Sequence, residues 1–503
     1  MNLLLRYAIC AALASQTATF RASTRLVDVN VLVHDKNGPV ANLAKDDFAI
    51  TDRGKPRAIS AFSMNTANRV VSSGPLPENV YSNRSHSASG AVTIVLLDGL
   101  NTFYYGTQFI EQARGPQHFE DQALAFAKAQ LMKFVKDLNP KDRVAVYALG
   151  TRLHVLCDFT NDSAQLEKVI REYREAMVTQ AEVADPAPSD FHEKYDVDES
   201  FDVANDAAAQ KQAQSANASR ASLTIAALMA IANHAADVPG RKNLIWLTAR
   251  SPVAGEAIGR ILSRANLAIY PVDARGLLTS FDPHFHPEGQ DTMLQLAEAS
   301  GGRAFLNNND VAGAIRKAAD DAEVSYTLGF YIEDDSLDGK FHELKIRVDR
   351  PGLDVRYPAG YYAVKDEATA AARQREMRSV LKSPIDSAAI HILARMDREA
   401  AVLRLGGAVD LHDVRLSESA GMRKGTVELF IFEQDAQGGV LRQMRRRLDL
   451  ALNPQQYQLY LKSGVLFREN FEPRRGTATV RILAGDPASA AMGSLTIPVS
   501  LVK

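Results

Sequence analysis

Cysteine and tryptophan are scarce in this chain: its 503 residues include two cysteines and one tryptophan. Two cysteines exclude a disulfide-rich scaffold and any four-cysteine zinc site. The charges nearly cancel, with 58 lysine and arginine residues against 60 aspartate and glutamate residues, so nucleic acid is not expected as a partner. Beyond the N-terminus no run reaches the roughly 18 apolar residues of a membrane-spanning helix, so we expect no span in the mature chain.

The composition is that of an ordinary globular protein with several cores. Hydrophobic residues make up 46% and charged residues 23% of the chain, which excludes disorder over the whole length. A single core stops growing at about 250–300 residues, and domains average about 150. The length therefore predicts about three domains.

The N-terminus resembles an export signal. Residues 2–14 read NLLLRYAICAALA, an apolar run that ends in the small-x-small triplet of residues 12–14. We predict a signal peptide over residues 1–21, with a buried N-terminal helix as the alternative because Arg6 lies inside the run. Cleavage would leave Cys157 as the one cysteine, in an apolar segment where a buried thiol is expected. A secreted or periplasmic location in a bacterial envelope follows.

A small β unit is predicted next, over residues 22–66. Val27, Val29, Val31 and Val33 alternate along one strand, which predicts a strand with one buried face. A segment of this size is too small to be stable alone. Residues 67–90 are rich in Ser, Asn, Pro and Gly and are predicted to be a linker.

Residues 91–364 have the pattern of an α/β domain. Residues 91–97, AVTIVLL, form a continuous apolar run, as in a parallel strand buried on both faces. Strands then alternate with helices of ten to fifteen residues, which predicts a doubly wound, mostly parallel sheet of Rossmann-like type. Three further strands are predicted to extend this sheet in antiparallel fashion: residues 326–332, 342–348 and 355–357.

Three other segments flank or interrupt this domain. Residues 178–216 contain nine acidic residues and no sustained apolar period, so they predict a flexible acidic insertion. Residues 365–383 predict a helical spacer. Residues 384–503 contain six short strand-like runs separated by turn residues, which predicts a β-sandwich. One of those runs is residues 456–467.

The end of the first parallel strand is the candidate ligand site. Open α/β sheets bind ligands at the carboxyl ends of their strands, near the switch point. Residues 98–102 read Asp-Gly-Leu-Asn-Thr, and a carboxylate followed by short polar residues suits Mg²⁺, which takes oxygen ligands. The alternative is that Asp98 caps the amides of the adjacent loop.

The order of these elements resembles the von Willebrand factor type A domain family. Three segments also resemble a type A-related family of exported proteins common in acidobacteria: LVDVNVLVHDKNGPVANLAKDDFAITDRGKPRAISAFS (26–63), VAVYALGTRLHVLCDFT (144–160), and PGRKNLIWLTARSP (239–252) with the later IYPVDARGL (269–277). The resemblance covers roughly residues 24–363. It implies a type A fold with a metal-dependent adhesion site at the sheet edge.

The adhesion motif that the resemblance implies is degenerate in this chain. Asp98 and Thr102 match two ligand positions, and Ser222 best matches a third, with Thr224 as the alternate. Leu100 and Ala249 stand where the family has oxygen ligands. The resemblance therefore implies at most weak binding of Mg²⁺ or another divalent cation by Asp98, Thr102 and Ser222. Asn101 could replace one missing ligand, and no other cofactor is expected.

Catalytic motifs are not evident in the sequence. It contains no G-x-S-x-G, no P-loop and no G-x-G-x-x-G after a strand. Residues 282–288 place His284 and His286 in one proline-containing loop, without the helix-borne H-E-x-x-H spacing of metalloproteases. Trp246, in a predicted buried strand, is interpreted as a core residue. We therefore do not expect an enzyme.

These observations predict an exported, non-enzymatic interaction module that binds a protein or envelope partner at the carboxyl edge of the sheet. The predicted partner surface comprises Asn101, Phe103, Tyr104 and Tyr105, with Ser222 and residues 248–252 beside them. A metal-dependent hydrolase and a purely structural envelope protein are the alternatives. The sequence specifies neither the partner nor the oligomeric state.

Overall fold

The computed structural model describes residues 24–66, 76–84, 92–102, 120–139, 141–173, 199–236, 238, 241–253, 267–275, 288–321, 323–333, 336–363, 369–419 and 421–502. The predicted signal peptide lies outside these ranges. None of the helices within them is both long and apolar enough to cross a membrane.

The chain is a mixed α/β protein. The helices of the described residues are α1 (Glu120–Lys136), α2 (Ser163–Glu172), α3 (Glu199–His234), α4 (Glu288–Ser300), α5 (Val311–Asp320), α6 (Ala370–Lys382) and α7 (Pro454–Ser463). The strands are β1 (Thr24–Asp35), β2 (Gly38–Pro39), β3 (Phe48–Asp52), β4 (Lys55–Arg57), β5 (Ala61–Thr66), β6 (Val80–Ser82), β7 (Val92–Asp98), β8 (Arg143–Leu149), β9 (Leu153–Thr160), β10 (Lys242–Thr248), β11 (Leu267–Asp273), β12 (Val324–Glu333), β13 (Phe341–Val348), β14 (Asp354–Arg356), β15 (Gly360–Tyr362), β16 (Ile392–Glu399), β17 (Val402–Val409), β18 (Ser417–Ser419), β19 (Met422–Gln434), β20 (Val440–Leu452), β21 (Val465–Phe471), β22 (Thr479–Gly485) and β23 (Met492–Pro498).

One sheet carries the candidate site. Its strand order is β11-β10-β7-β8-β9, with parallel pairing except between β8 and β9. β7, β10 and β11 are buried along their whole length, which explains their continuous apolar sequences. Residues of α3 and α4 pack on one face, and residues of α1, α2 and α5 pack on the other. Within the described ranges the other four sheets have only antiparallel pairing, so the mostly parallel arrangement there is confined to this sheet.

The strands that follow α5 do not extend the parallel sheet, and that prediction is wrong. β12 pairs with β1 and β5, and β13 pairs with β3 and β15, all antiparallel. The valines of β1 pack against Tyr326, Leu328 and Ile346 in one core. Alone, the N-terminal strands would expose a large apolar face to water. β12 and β13 contribute residues to the same core and so help to bury that face.

The C-terminal strands form two sheets around a shared core. One has the order β21-β17-β16-β6; in the other, β19 lies between β20 and β22. Residues 80–82 were predicted to belong to a linker, but they form β6, which pairs with β16. The chain before the parallel sheet therefore contributes a strand to the C-terminal unit.

Part of a predicted strand is a helix. Residues 456–467 were expected to be extended, but α7 occupies residues 454–463 and only its successor β21 is a strand. Asn453 caps α7 by accepting a hydrogen bond from the backbone N–H of Gln456, whose side chain bonds back to the Asn453 backbone. Pro454 at the first position favours the same helix start. Local capping therefore overrides the strand-like apolar pattern.

Two predicted segments are more ordered than the sequence pattern indicated. Residues 199–216, the second half of the predicted flexible insertion, belong to α3, while residues 178–198 lie outside the described ranges. The predicted helical spacer contains α6, whose Met377 and Val380 pack with Phe430 and Met492. This helix is therefore docked on the C-terminal unit.

Candidate functional site

The carboxyl ends of three neighbouring parallel strands carry the polar residues of the candidate site. Asp98 ends β7, Thr248 ends β10 and Asp273 ends β11. The chain runs from β7 to β8 on one side and later to β10 on the other, so the strand order reverses at β7. Ligands of open α/β sheets bind in the crevice outside such a switch point. Asp98 therefore stands where a ligand of this sheet would lie.

Asp98 is buried, and both of its carboxylate oxygens accept hydrogen bonds from the protein. The backbone N–H of Asn101 donates to Oδ1 at 3.0 Å, and the side-chain amide of Asn101 donates to Oδ2 at 2.8 Å. The indole N–H of Trp246 also donates to Oδ2, at 2.8 Å. The sequence-based alternative, a carboxylate that caps loop amides, describes the Asn101 contact.

The environment makes Asp98 hard to ionise. Burial raises the pKa of Asp98 to about 6, although hydrogen bonds from Asn101, Thr248 and Trp246 act in the opposite direction. Burial has this effect because removing a carboxylate from water penalises its charged form. Asp98 therefore changes its charge near pH 6.

Trp246 has a role that the sequence interpretation missed. It is fully buried in the sheet, as predicted for a core residue, but its indole N–H also holds Asp98. Buried tryptophans usually find an acceptor for this N–H. The sequence signal for this contact was an aspartate that directly follows another buried apolar strand.

The remaining motif positions on this edge carry either apolar side chains or a hydroxyl that is hydrogen-bonded within the loop. The Thr102 hydroxyl donates to the backbone oxygen of Asp98, so its hydrogen bond joins the two ends of the loop of residues 98–102. Leu100 packs in the core on the α3 side of the sheet, and Ala249 is buried. Two positions where the type A motif has oxygen ligands are thus filled by apolar side chains.

Helix α3 brings Thr224, and not Ser222, to this site. Ser222 is exposed, and its hydroxyl donates to the backbone oxygen of Ala218 at 2.8 Å. Thr224 is fully buried, and its Oγ1 accepts the Asn101 amide at 3.0 Å. Two steps along a helix turn a side chain by about 200°, so only one of the two can face the sheet. We call Asp98, Asn101, Thr224 and Trp246 the Asp98 cluster.

A second buried carboxylate, which the sequence analysis did not single out, lies on the same edge. Asp273 accepts hydrogen bonds from Arg275 through both oxygens, from Nε at 2.8 Å and from Nη2 at 2.7 Å. The backbone N–H of Arg275 adds a third at 3.0 Å, and the Gln290 amide adds a fourth at 3.2 Å. The signal was the Asp-x-Arg spacing directly after an apolar strand. This edge therefore holds two carboxylates, each paired within the protein.

Several predicted site residues lie outside the described ranges: Phe103, Tyr104, Tyr105, His284 and His286. Asn101, the fourth residue of the predicted partner surface, is described and almost fully buried. Its Oδ1 has no hydrogen-bond partner among the described residues. Asn101 thus acts chiefly inside the loop, where it joins Asp98 to Thr224.

The geometry limits the chemistry of the Asp98 cluster. A cation bound to Asp98 would have to share its oxygens with the donors of Asn101 and Trp246, and Mg²⁺ needs near-octahedral oxygen ligands that this loop does not supply. A general base must reach the proton it abstracts, and the Asp98 oxygens are enclosed by Asn101 and Trp246. The cluster is suited to holding the shape of the sheet edge.

Comparison with known proteins leaves the family open. No family model matches the sequence, and neither does any curated protein. Similar solved structures include a von Willebrand factor type A protein from Catenulispora acidiphila, 9% identical, covering 78% of this chain and 73% of that one, with a TM-score of 0.28. An aerotolerance-related membrane protein from Bacteroides fragilis NCTC 9343 is 12% identical and covers 46% and 98%, with a TM-score of 0.26. The conserved hypothetical protein BatB from Bacteroides thetaiotaomicron is 14% identical and covers 46% and 99%, with a TM-score of 0.24. At these TM-scores the similarities do not assign this chain to a family.

Proposed function

We propose that this protein is an exported, non-enzymatic module that binds a protein or envelope partner at the carboxyl edge of its parallel sheet. The observation that carries the proposal is the Asp98 cluster at the switch point. Apart from Asn101 Oδ1, its polar groups hydrogen-bond to one another, so they shape the edge and do not reach a reacting atom. A rigid, preformed edge reduces the entropy lost when a partner binds.

The proposal includes a relationship to type A domains. It is supported by an aspartate that ends the first, central parallel strand and by a threonine that α3 carries to it. In this proposal the edge binds its partner without a resident cation, because Asn101 and Trp246 already donate hydrogen bonds to the Asp98 oxygens. The acidobacterial type A-related family remains a prediction.

The proposed partner surface surrounds the Asp98 cluster. Thr151 and Arg152 are exposed in the turn that joins β8 to β9 at this edge, and residues 250–252 follow β10. The predicted aromatic residues 103–105 directly follow Thr102 and belong to the same surface in this proposal. Aromatic side chains and arginine are enriched in the cores of protein interfaces.

Export is proposed from residues 1–21, whose apolar run and small-x-small triplet suit a cleaved signal. N-terminal sequencing of the protein recovered from envelope fractions tests this directly. A mature chain that starts shortly after residue 14 supports export. A chain that retains the apolar run in the cytoplasm refutes it.

Site-specific photo-crosslinking in the producing cell tests the binding edge. A photoreactive residue replaces Thr151 in one variant and Lys141 in the other; both positions are exposed, and they flank opposite ends of β8. We expect Thr151 to give a discrete crosslinked product and Lys141 to give none. The Tyr104→Ala, Tyr105→Ala double variant should lose the Thr151 product while it keeps its thermal stability. Equal crosslinking from both ends of β8 would refute a binding edge.

A metal-dependent hydrolase is the second candidate. The observation that favours it is the buried Oδ1 of Asn101, which has no partner within the described part of the chain and lies beside Asp98. An ion held by Asn101 and the predicted ligands Asp98 and Thr102 would make this oxygen useful. Calorimetric titration with Mg²⁺, Mn²⁺, Ca²⁺ and Zn²⁺ separates the two candidates, since saturable binding lost in Asn101→Ala supports the hydrolase.

A further inference from the structure

A second group of metal-ligating side chains lies on the C-terminal unit, outside the parallel sheet that carries the Asp98 cluster. His391 precedes β16, Asp410 follows β17, and Asp413 ends the short 3-10 helix of residues 411–413. One ligand atom from each of the three lies within 4.8 Å of the others. His391 Nδ1 is 2.6 Å from Asp413 Oδ2. All three side chains are partly exposed, so a small ion can reach them from solvent.

The β16–β17 hairpin brings these residues together. Ile392 pairs with Val409 at the open end of the hairpin, so the residues just outside that pair are neighbours. The backbone N–H of Asp410 donates to the backbone oxygen of His391 at 3.0 Å. The 3-10 helix then returns the chain, and the backbone N–H of His391 donates to Asp413 Oδ2 at 2.9 Å. The group is therefore positioned by regular backbone pairing.

A neighbouring histidine orients one of the carboxylates. His412 Nδ1 lies 2.7 Å from Asp410 Oδ1, and the His412 backbone N–H donates to the same oxygen at 2.9 Å. Asp410 Oδ2 is left facing His391 and Arg84. Carboxylates that bind metals are commonly held in this way through their second oxygen.

A cationic group already lies between two of these ligand atoms. Arg84 Nη2 is 3.3 Å from His391 Nδ1 and 3.3 Å from Asp410 Oδ2. The Arg84 side chain is 56% exposed and follows the short edge strand β6, so it can swing into solvent without disturbing the core. The local field thus favours a positive charge at this position, and its present occupant is replaceable.

We propose that His391, Asp410 and Asp413 bind a divalent transition-metal ion of the zinc class, with Arg84 as the competing cation. One imidazole nitrogen and two carboxylate oxygens suit Zn²⁺ and its neighbours Co²⁺ and Ni²⁺ better than Mg²⁺ or Ca²⁺, which prefer oxygen alone. Bonds of about 2.0–2.1 Å around a tetrahedral ion place ligand atoms about 3.3 Å apart. The His391–Asp413 pair has to open by less than about 1 Å to meet that spacing. Water supplies the fourth ligand.

An ion network that only ties the segment of residues 76–84 to the C-terminal sheets is the competing explanation. Arg84 pairs with Asp410, and Asn83 donates to the backbone oxygens of Ser387 and Ile390. The two explanations differ in what Arg84→Met does. Removing a competing cation strengthens metal binding, whereas removing a clamp leaves metal binding absent.

Calorimetric titration of the full-length, chelator-treated protein with Zn²⁺ tests the proposal, with Co²⁺ visible absorption as a second readout. We expect one saturable site in the native chain and several-fold tighter binding in Arg84→Met. His391→Ala and Asp413→Asn should abolish that site, with folding checked by circular dichroism. His284→Ala, His286→Ala is the matched control, because it removes two histidines elsewhere and should leave the site intact.

Three results would overturn the metal site: no saturable Zn²⁺ binding in either the native chain or Arg84→Met, unchanged binding in His391→Ala, or loss of binding in the His284→Ala, His286→Ala control. Arg84→Met keeps the test decisive if the ligand variants fold poorly, since Arg84 is a surface residue. The outcome is independent of the proposed function, because none of the four residues lies at the edge of the parallel sheet.

Discussion

The charge of Asp98 can be read through the fluorescence of a single residue. Trp246 is the only tryptophan of the chain, and its indole N–H donates to Asp98 at 2.8 Å. The pKa of Asp98 is raised to about 6 by burial. Protonation neutralises the carboxylate that the indole contacts. We therefore expect the tryptophan emission of the folded protein to change in a one-proton transition centred near pH 6.

The same raised pKa predicts a pH dependence of stability. The difference between about 6 in the folded protein and the ordinary value of 3.8 corresponds to about 3 kcal/mol. Because the folded state binds this proton more tightly than the unfolded state does, the contribution of Asp98 is most favourable below pH 4. It is lost as the pH rises through 6, so the free energy of unfolding falls by about 3 kcal/mol over that interval.

Asp98→Asn is the matched variant, because it keeps the shape of the side chain and removes the charge. The fluorescence transition near pH 6 should disappear in it. Denaturant unfolding followed by Trp246 emission should show that the stability of the native chain relative to the variant decreases by about 2.4 kcal/mol between pH 4 and pH 8. A transition that persists in Asp98→Asn, or a midpoint at or below pH 4, would show that the pKa of Asp98 is not raised by burial.

Two further predictions concern other contacts of α3. Thr224→Val keeps the volume but leaves the buried Asn101 amide without its threonine acceptor, so we expect a loss of about 1–3 kcal/mol in the free energy of unfolding, against less than about 0.5 for the exposed Ser222→Ala. Equal denaturation midpoints for the two variants would contradict the assignment of Thr224. Burial lowers the pKa of His234, but the hydrogen bond and charge of Asp158 outweigh burial and raise it above 6.5. Its contribution to stability is therefore fully present below pH 6.5 and lost as the pH rises through the folded-state pKa; thermal melts should show this loss in the native chain and not in His234→Gln, and an identical pH profile in both would refute it.

The parts of the site that the sequence predicts are local ones. The apolar run of residues 92–97 indicates a strand buried on both faces, and the aspartate that follows it must leave the sheet at an edge. Thr224 was considered only as an alternate to Ser222, since the sequence does not fix how α3 is rotated about its axis. Helical rotation is set by packing, and α3 is apolar over more than one stripe.

The parts that could not be predicted depend on contacts between distant segments. Alternating valines indicate that β1 has a buried face. They do not indicate that β1 pairs with β12, which follows the strands of the parallel sheet in the sequence. The N–H of Trp246 and the carboxylate of Asp98 belong to β10 and β7, and their meeting depends on the strand order. Hydrophobic pattern specifies which faces are buried, and long-range pairing decides what buries them.

Titration with Mn²⁺, followed by the emission of Trp246, shows whether the edge of the parallel sheet works without a metal bound to Asp98. A paramagnetic ion at Asp98 would lie beside the only fluorescent indole of the chain and quench it. We expect no saturable quenching at millimolar Mn²⁺, because the Asp98 oxygens already accept hydrogen bonds from Asn101 and Trp246. Saturable quenching that Asp98→Asn abolishes would contradict it and would place a metal at the edge of the sheet.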